Sequence, residues 1–151
     1  MKKTLFFIIL VFSLLFCGQA LAAEYQPMPQ MDVTQYATTP SLTINDNDVS
    51  EKYVITKDGV TYVPVELFAS FKNTLAYNQV DGQPVALIQR WYDNGSPSII
   101  IVFVTVQHPG ETKPFFWATD GTVWISLREN AGKIGAEVTY DPDANAITVR
   151  N

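Results

Sequence analysis

The sequence predicts an α+β fold: a mostly antiparallel sheet built from two related strand-helix-hairpin units, each with one short helix. Two observations carry this. The last thirty or so residues spell such a unit, and the same order of signals stands 62 residues upstream. In the later copy Asp120-Gly121 is turn chemistry. Thr122-Val123-Trp124-Ile125 follows, β-branched and aromatic as strands prefer. Ser126 and Glu129 have the spacing of a capping box. Leu127, Ala131 and Ile134 form one apolar stripe at helical spacing, and Gly135 stands where a left-handed residue ends a helix. Ala136, Val138 and Tyr140 alternate with polar neighbours. Asp141-Pro142-Asp143-Ala144-Asn145 is a turn, and Ile147 and Val149 complete a hairpin.

In the earlier copy Asp58-Gly59 corresponds to Asp120-Gly121, and Tyr62-Val63-Pro64-Val65 to Trp124-Ile125-Ser126-Leu127. Ala69 matches Ala131, and Asn73, the second choice for a left-handed cap, matches Gly135. Pro64 suits a helix entrance, where an amide hydrogen has no helical partner. A helix is expected near Val65 to Lys72, with Leu67, Phe68 and Phe71 on its apolar side. Leu42-Thr43-Ile44 extends the match backwards, towards Val104-Thr105-Val106. The repeats are placed at about residues 41–92 and 98–150.

The runs DGVTYVPVELFASF and DGTVWISLRENAGKIGAEVTYDPDANAITV resemble the copper amine oxidase N-terminal-like, or stalk, domain of secreted bacterial proteins. Tyr62-Val63-Pro64 matches that family's motif in the first copy. Leu127-Arg128, Gly135-Ala136, Val138, Tyr140-Asp141 and Ile147-Thr148-Val149 match in the second. The resemblance spans roughly residues 41–150. It departs at Glu66, where the family carries Arg, at the absence of a glycine closing the first helix, and at Ser126, where the family carries Pro. It implies an appendage domain rather than a catalytic one.

Lys2-Lys3, an apolar run from Leu5 to Phe16 and small residues around Ala20 to Ala23 make residues 1–23 a signal peptide, cleaved near Ala22-Ala23. The apolar run is short for a membrane span. The expected destination is the extracellular space or the cell envelope. Cys17, the single cysteine, lies in this segment behind the bulky Phe16, so ordinary cleavage is expected rather than lipidation. The mature chain then has no thiol. Residues 24–40 read as a flexible, polar, proline-bearing arm, with Val33 or Tyr36 packing locally. Residues 41–151 form the domain.

Loss of Lys2 and Lys3 from ten basic residues leaves eight against fifteen acids, a mature charge of about −7. This argues against nucleic acid, which needs concentrated Lys and Arg, and against an anionic membrane surface. Asn45-Asp46-Asn47-Asp48 reads as a hairpin turn rather than a calcium loop, because it lacks spaced ligands. Tyr53-Val54-Ile55 and Val60 to Val65 should pair around Lys57-Asp58-Gly59. Leu75-Ala76-Tyr77 is a strand, followed by a turn at Val80 to Gln83. Val85 to Tyr92 and Ser98 to Val106 read as long strands joined through Asn94-Gly95. The unbroken apolar run Ile99 to Val104 suggests a strand covered on both faces.

Little in the chain carries reactive chemistry. His108 is the sole histidine, so neither an imidazole nor a thiolate metal site is expected, copper included. There is no phosphate loop, dinucleotide fingerprint or nucleophile elbow, and no cofactor is expected. Glu66 and Asp81 are a carboxylate pair of the kind a glycosidase uses, but nothing in the sequence places them together. The candidate ligand surface is aromatic: Trp91, Tyr92, Phe116 and Trp117 lie near strand ends, where a sugar-stacking platform forms most readily. The reading is a non-catalytic exported binding or spacer module facing cell-wall polymer or an envelope protein. The alternatives are a small secreted hydrolase using His108 or an acid pair, and an interaction or inhibitor module offering the Gln107–Lys113 loop or a sheet edge.

Overall fold

A computed structural model describes residues 25–36, 40–49, 54–79, 85–93 and 97–151. The expected signal peptide with Cys17, Tyr53, the expected turn at Val80 to Gln83 with Asp81, and the expected turn at Asn94-Gly95-Ser96 lie outside the described residues. The described residues fall into two units. The smaller contains β1 (Gln26–Pro27), antiparallel to β10 (Val106–Gln107), with Gln26 opposite Gln107.

The larger unit is built of three sheets. The central one runs β2 (Gln30–Met31), β11 (Phe115–Ala118), β12 (Val123–Ser126), β6 (Val60–Pro64), β5 (Ile55–Lys57). β6 and β12, counterparts at a spacing of 62 residues in the sequence, pair antiparallel. Ile125 lies opposite Val63, its own counterpart, and Trp124 and Ser126 lie opposite Pro64 and Tyr62. A local two-fold therefore passes between Val63 and Ile125, with β5 and β11 flanking symmetrically.

A second sheet runs β13 (Glu137–Asp141), β14 (Ala146–Arg150), β3 (Ser41–Ile44), β4 (Asn47–Val49), and a third runs β7 (Thr74–Tyr77), β8 (Val85–Trp91), β9 (Pro97–Val104). Their third strands break the symmetry: β3 is parallel to β14, whereas β9 is antiparallel to β8.

The expected α+β fold is corrected. Among the described residues 51% lie in strands and 15% are helical, and the molecule is mostly β. Only the second copy has an α-helix, α1 (Leu127–Lys133). The first has a 3-10 helix, Val65–Ser70, in its place. The physical reason is the apolar period. Val65, Phe68 and Phe71 are buried, and a repeated spacing of three stacks in one line at three residues per turn, whereas it drifts around an α-helix. Val65 and two phenylalanines also lose side-chain freedom in an α-helix. Leu127, Ala131 and Ile134 keep the wider spacing and are buried at 1%, 0% and 2% exposure.

Helix α1 ends as its sequence predicts. Gly135 has φ +75°, Ala136 N–H donates to Ala131 O at 2.9 Å and Gly135 N–H to Gly132 O at 3.0 Å. This is the paired-bond Schellman cap. Its start differs. The capping box does not form, because Ser126 is also the last residue of β12 and its side chain makes no capping bond. Glu129 instead accepts from Lys133 Nζ at 2.6 Å, one turn on.

The hairpin turns follow the sequence. Asn45 and Asp46, at φ 47° and 65°, close β3–β4 in the two-residue turn that matches strand twist. Asp58-Gly59 closes β5–β6 with Lys57 opposite Val60. Asp141 Oδ1 accepts from Asp143 and Ala144 N–H at 2.9 and 3.1 Å, pinning the turn before β14.

The main core joins the inner faces of the three sheets, the 3-10 helix and α1, around Phe68, Leu42, Ile44, Ile88, Ile125 and Leu127. The opposite face of the central sheet buries Ile55, Phe116, Ala118 and Trp124, against which Met31, Val33, Tyr36 and Tyr62 pack. Val33 and Tyr36 thus pack as the sequence suggested. The stretch 24–40 also carries regular structure not anticipated there: β1, β2 and a 3-10 turn at Val33–Gln35 capped by Asp32.

β9 departs from expectation. Among the described residues it lies at the edge of its sheet, and its two faces differ in burial. Phe103 points into the core, whereas Val102 is 43% exposed. Val102 lies opposite Leu87, which lies opposite Tyr77, so the three share the sheet's outer face. Leu75 and Tyr77 are also exposed there. The outer face at these positions is therefore open among the described residues.

Candidate functional site

The four aromatic residues singled out in the sequence are separated by the fold. Phe116 is buried in the satellite core, its ring stacked on Trp124 at 6.4 Å and tilted against Tyr62 at 4.9 Å. It offers no face to a ligand. Trp117 alternates to the other face of β11 and packs, half-buried, on the main core. Trp91 closes β8, half-buried, its N–H donating to Asn73 O at 3.0 Å. Tyr92 follows it and is exposed. Two sheets divide these residues, because neighbours on a strand point to opposite faces.

His108 belongs to the smaller unit. Its ring lies 4.0 Å from the Tyr25 ring. Its backbone N–H, not its imidazole, donates to Glu111 Oε2 at 3.0 Å, and Glu111 N–H returns to His108 O at 3.0 Å. The carboxylate thus shapes the Pro109-Gly110 turn. Glu66, on the 3-10 helix, has its carboxyl pushed up from the ordinary glutamate value, chiefly by burial and also by the nearby Asp120 charge, against a lowering backbone hydrogen bond. Its proposed partner Asp81 lies outside the described residues. No group of three His, Cys, Asp or Glu is arranged to hold a metal among the described residues. No described helix is long and apolar enough to cross a membrane.

What the fold does assemble is a groove of about 590 Å³ in the larger unit. Three pieces of chain meet there. The β5–β6 hairpin brings Gly59, Val60 and Thr61; the passage from β12 into α1 brings Ser126, Leu127 and Arg128; the β13–β14 hairpin brings Val138, Tyr140, Asn145 and Ile147. The sheet register dictates this meeting. Ser126 pairs with Tyr62, so β6 begins beside the point where β12 becomes helix. Tyr140 lies opposite Ile147 and shares a face with Val138. At that strand end the face runs beyond the core, leaving Tyr140 48% exposed while Ile147 is buried.

The groove therefore has an apolar floor and a polar rim. Leu127 and Ile147 form the floor. Tyr140 Oη donates to Asn145 Oδ1 at 3.0 Å, which fixes the ring. The Ser126 hydroxyl is not consumed by helix capping. Glu129 is neutralised by Lys133, while Arg128 makes no ion pair among the described residues. The volume is that of an ordinary small-ligand site.

Sequence reading placed Tyr140 on a strand and Arg128 in a helix entrance, and marked neither for a site. Both served local structure, and nothing local reports that residues near 60, 128 and 140 converge. No family model matches the chain, and no curated protein or solved structure matches it either.

Proposed function

We propose that the protein is a non-catalytic binding module of the cell envelope or extracellular space, which holds a segment of envelope polymer in the groove between the β5–β6 and β13–β14 hairpins. The observation that carries this reading is the groove's lining. It joins an accessible aromatic face, an apolar floor and hydroxyl, amide and guanidinium groups, the materials of recognition. His108, the one imidazole, lies elsewhere against Tyr25. The likeness to stalk domains and the signal-like residues 1–23 support the exported setting. A small hydrolase has less in its favour, because the His108 ring packs on the Tyr25 ring and the neighbouring Glu111 carboxylate accepts from the His108 backbone N–H, not from its imidazole.

Cosedimentation of the exported protein with purified cell-wall polymer, across a salt series, tests this. Retention is expected to survive high salt, since stacking and neutral hydrogen bonds are not screened. Val60→Asp, which charges an apolar wall of the groove, should release the protein. No retention by the wild type would overturn the polymer reading.

A second reading, a protein-interaction module, is favoured by the open outer face carrying Leu75, Tyr77 and Val102. It predicts cross-linking to an envelope protein that Val102→Lys abolishes while Val60→Asp does not.

A further inference from the structure

The groove has a chemical bias that the general reading leaves open. Its rim holds two charged side chains, Glu129, which is paired with Lys133 at 2.6 Å, and Arg128, which makes no ion pair among the described residues and is the cation left to meet a ligand. Arg128 and Tyr140 line the same space. A guanidinium binds a carboxylate through two parallel hydrogen bonds. An exposed tyrosine ring presents a flat apolar face beside a polar tip. Asn145 holds that ring from its hydroxyl end. Hydroxyls of Ser126 and Thr61 lie along the same lining, suited to a ligand rich in hydroxyls.

We propose that the groove is a saccharide site selective for sugar units that carry a carboxylate. The sugar ring stacks on Tyr140 over the Leu127–Ile147 floor, and its carboxylate meets Arg128. The chain's net charge of −5 sets a second condition. A dense polyanion is repelled by the protein as a whole, so the preferred polymer spaces its acidic units with neutral ones. This inference rests on the polymer-binding reading above and narrows it to one class of unit.

The test uses an alternating glucuronate–N-acetylglucosamine hexasaccharide and the same oligomer with its carboxyl groups reduced to alcohols, titrated calorimetrically into the exported full chain. The acidic oligomer is expected to bind at least about tenfold more tightly than the reduced one, the scale of one charge-assisted hydrogen-bond pair. Arg128→Gln should erase that preference by weakening only the acidic oligomer. Tyr140→Phe, which keeps the ring, should retain the preference, and Tyr140→Ala should weaken both oligomers alike. Near-ultraviolet circular dichroism checks that each variant folds. Equal binding of the two oligomers, or a preference that persists in Arg128→Gln, overturns the inference and spares the polymer reading. Retention on wall polymer with binding to neither oligomer does the same. Displacement of the acidic oligomer by an acidic peptide of equal charge but not by a free glucuronate disaccharide would also overturn it, in favour of a peptide groove. Failure of wall retention would bring down both.

Discussion

One side chain, Asn78, ties β7 to the Gly121 turn. It follows β7 in the first copy and reaches the turn of the second. Its Nδ2 donates to Gly121 O at 2.8 Å, and its Oδ1 accepts from Val123 N–H at 2.7 Å. Val123 is buried, so Asn78→Ala strands a buried donor and should cost about 1–3 kcal/mol, measured by urea denaturation. Glu66 makes a pH prediction. Its folded-state pKa is raised, so the folded protein binds that proton more tightly than the unfolded chain. Stability from this group is present at low pH and lost as pH rises through the folded value. Glu66→Gln should therefore stabilise the protein at neutral pH by at most about 0.5 kcal/mol, discounted because this side chain is exposed, and the gain is read as a small rise in Tm. The gain should vanish below about pH 4, where both proteins are neutral at that position.

At the scale of elements, the contrast between α1 and the 3-10 helix shows how far local grammar reaches. Turn residues, the Gly135 cap and the 127–131–134 stripe act over a few residues, and each appears where the sequence put it. The first helix failed because an apolar count does not fix a period: Val65, Phe68 and Phe71 suit three residues per turn as well as they suit a ragged α-helix. Two glycines in and after α1 give opposite predictions. A Cβ at either meets nothing within 4 Å, but Gly135 has φ +75° and Gly132 does not have a positive φ. Gly132→Ala should stabilise by about 0.5–1 kcal/mol through helix propensity. Gly135→Ala should destabilise by about 1–2 kcal/mol through the left-handed backbone. Thermal melts of the two variants should move in opposite directions.

At the scale of the whole molecule, strand partnership governs. The run Ile99 to Val104 reads as doubly buried, yet its place in the sheet leaves one face open. Phe103 packs edge-on to Phe115 at 5.3 Å, while its neighbour Val102 faces out. Phe103→Ala should cost about 3–5 kcal/mol, and Val102→Thr less than about 0.5 kcal/mol. Similar losses from both in chemical denaturation would mean that the outer face is covered. The groove belongs to this scale too. Its chemistry-bearing residues were visible as Arg128 and Tyr140, but their convergence was not, because it depends on β6 lying beside β12 and on β13 closing a different sheet. The aromatic platform failed for the converse reason: Phe116 and Trp117 adjoin in sequence and face opposite sides of one strand.

Turns, caps and periodicity depend on near neighbours, so the described hairpin turns, the Schellman cap and the apolar stripe of α1 were all legible in the sequence. Only in the assembled fold does it emerge which strands pair beyond the hairpins, that the molecule is mostly β, that β3 joins β14 in parallel, that Val102 on β9 faces outward, and that a groove opens beside Tyr140. Those outcomes depend on how far-separated segments compete for the same hydrogen bonds and the same buried surface, and no local stretch of chain records the winner.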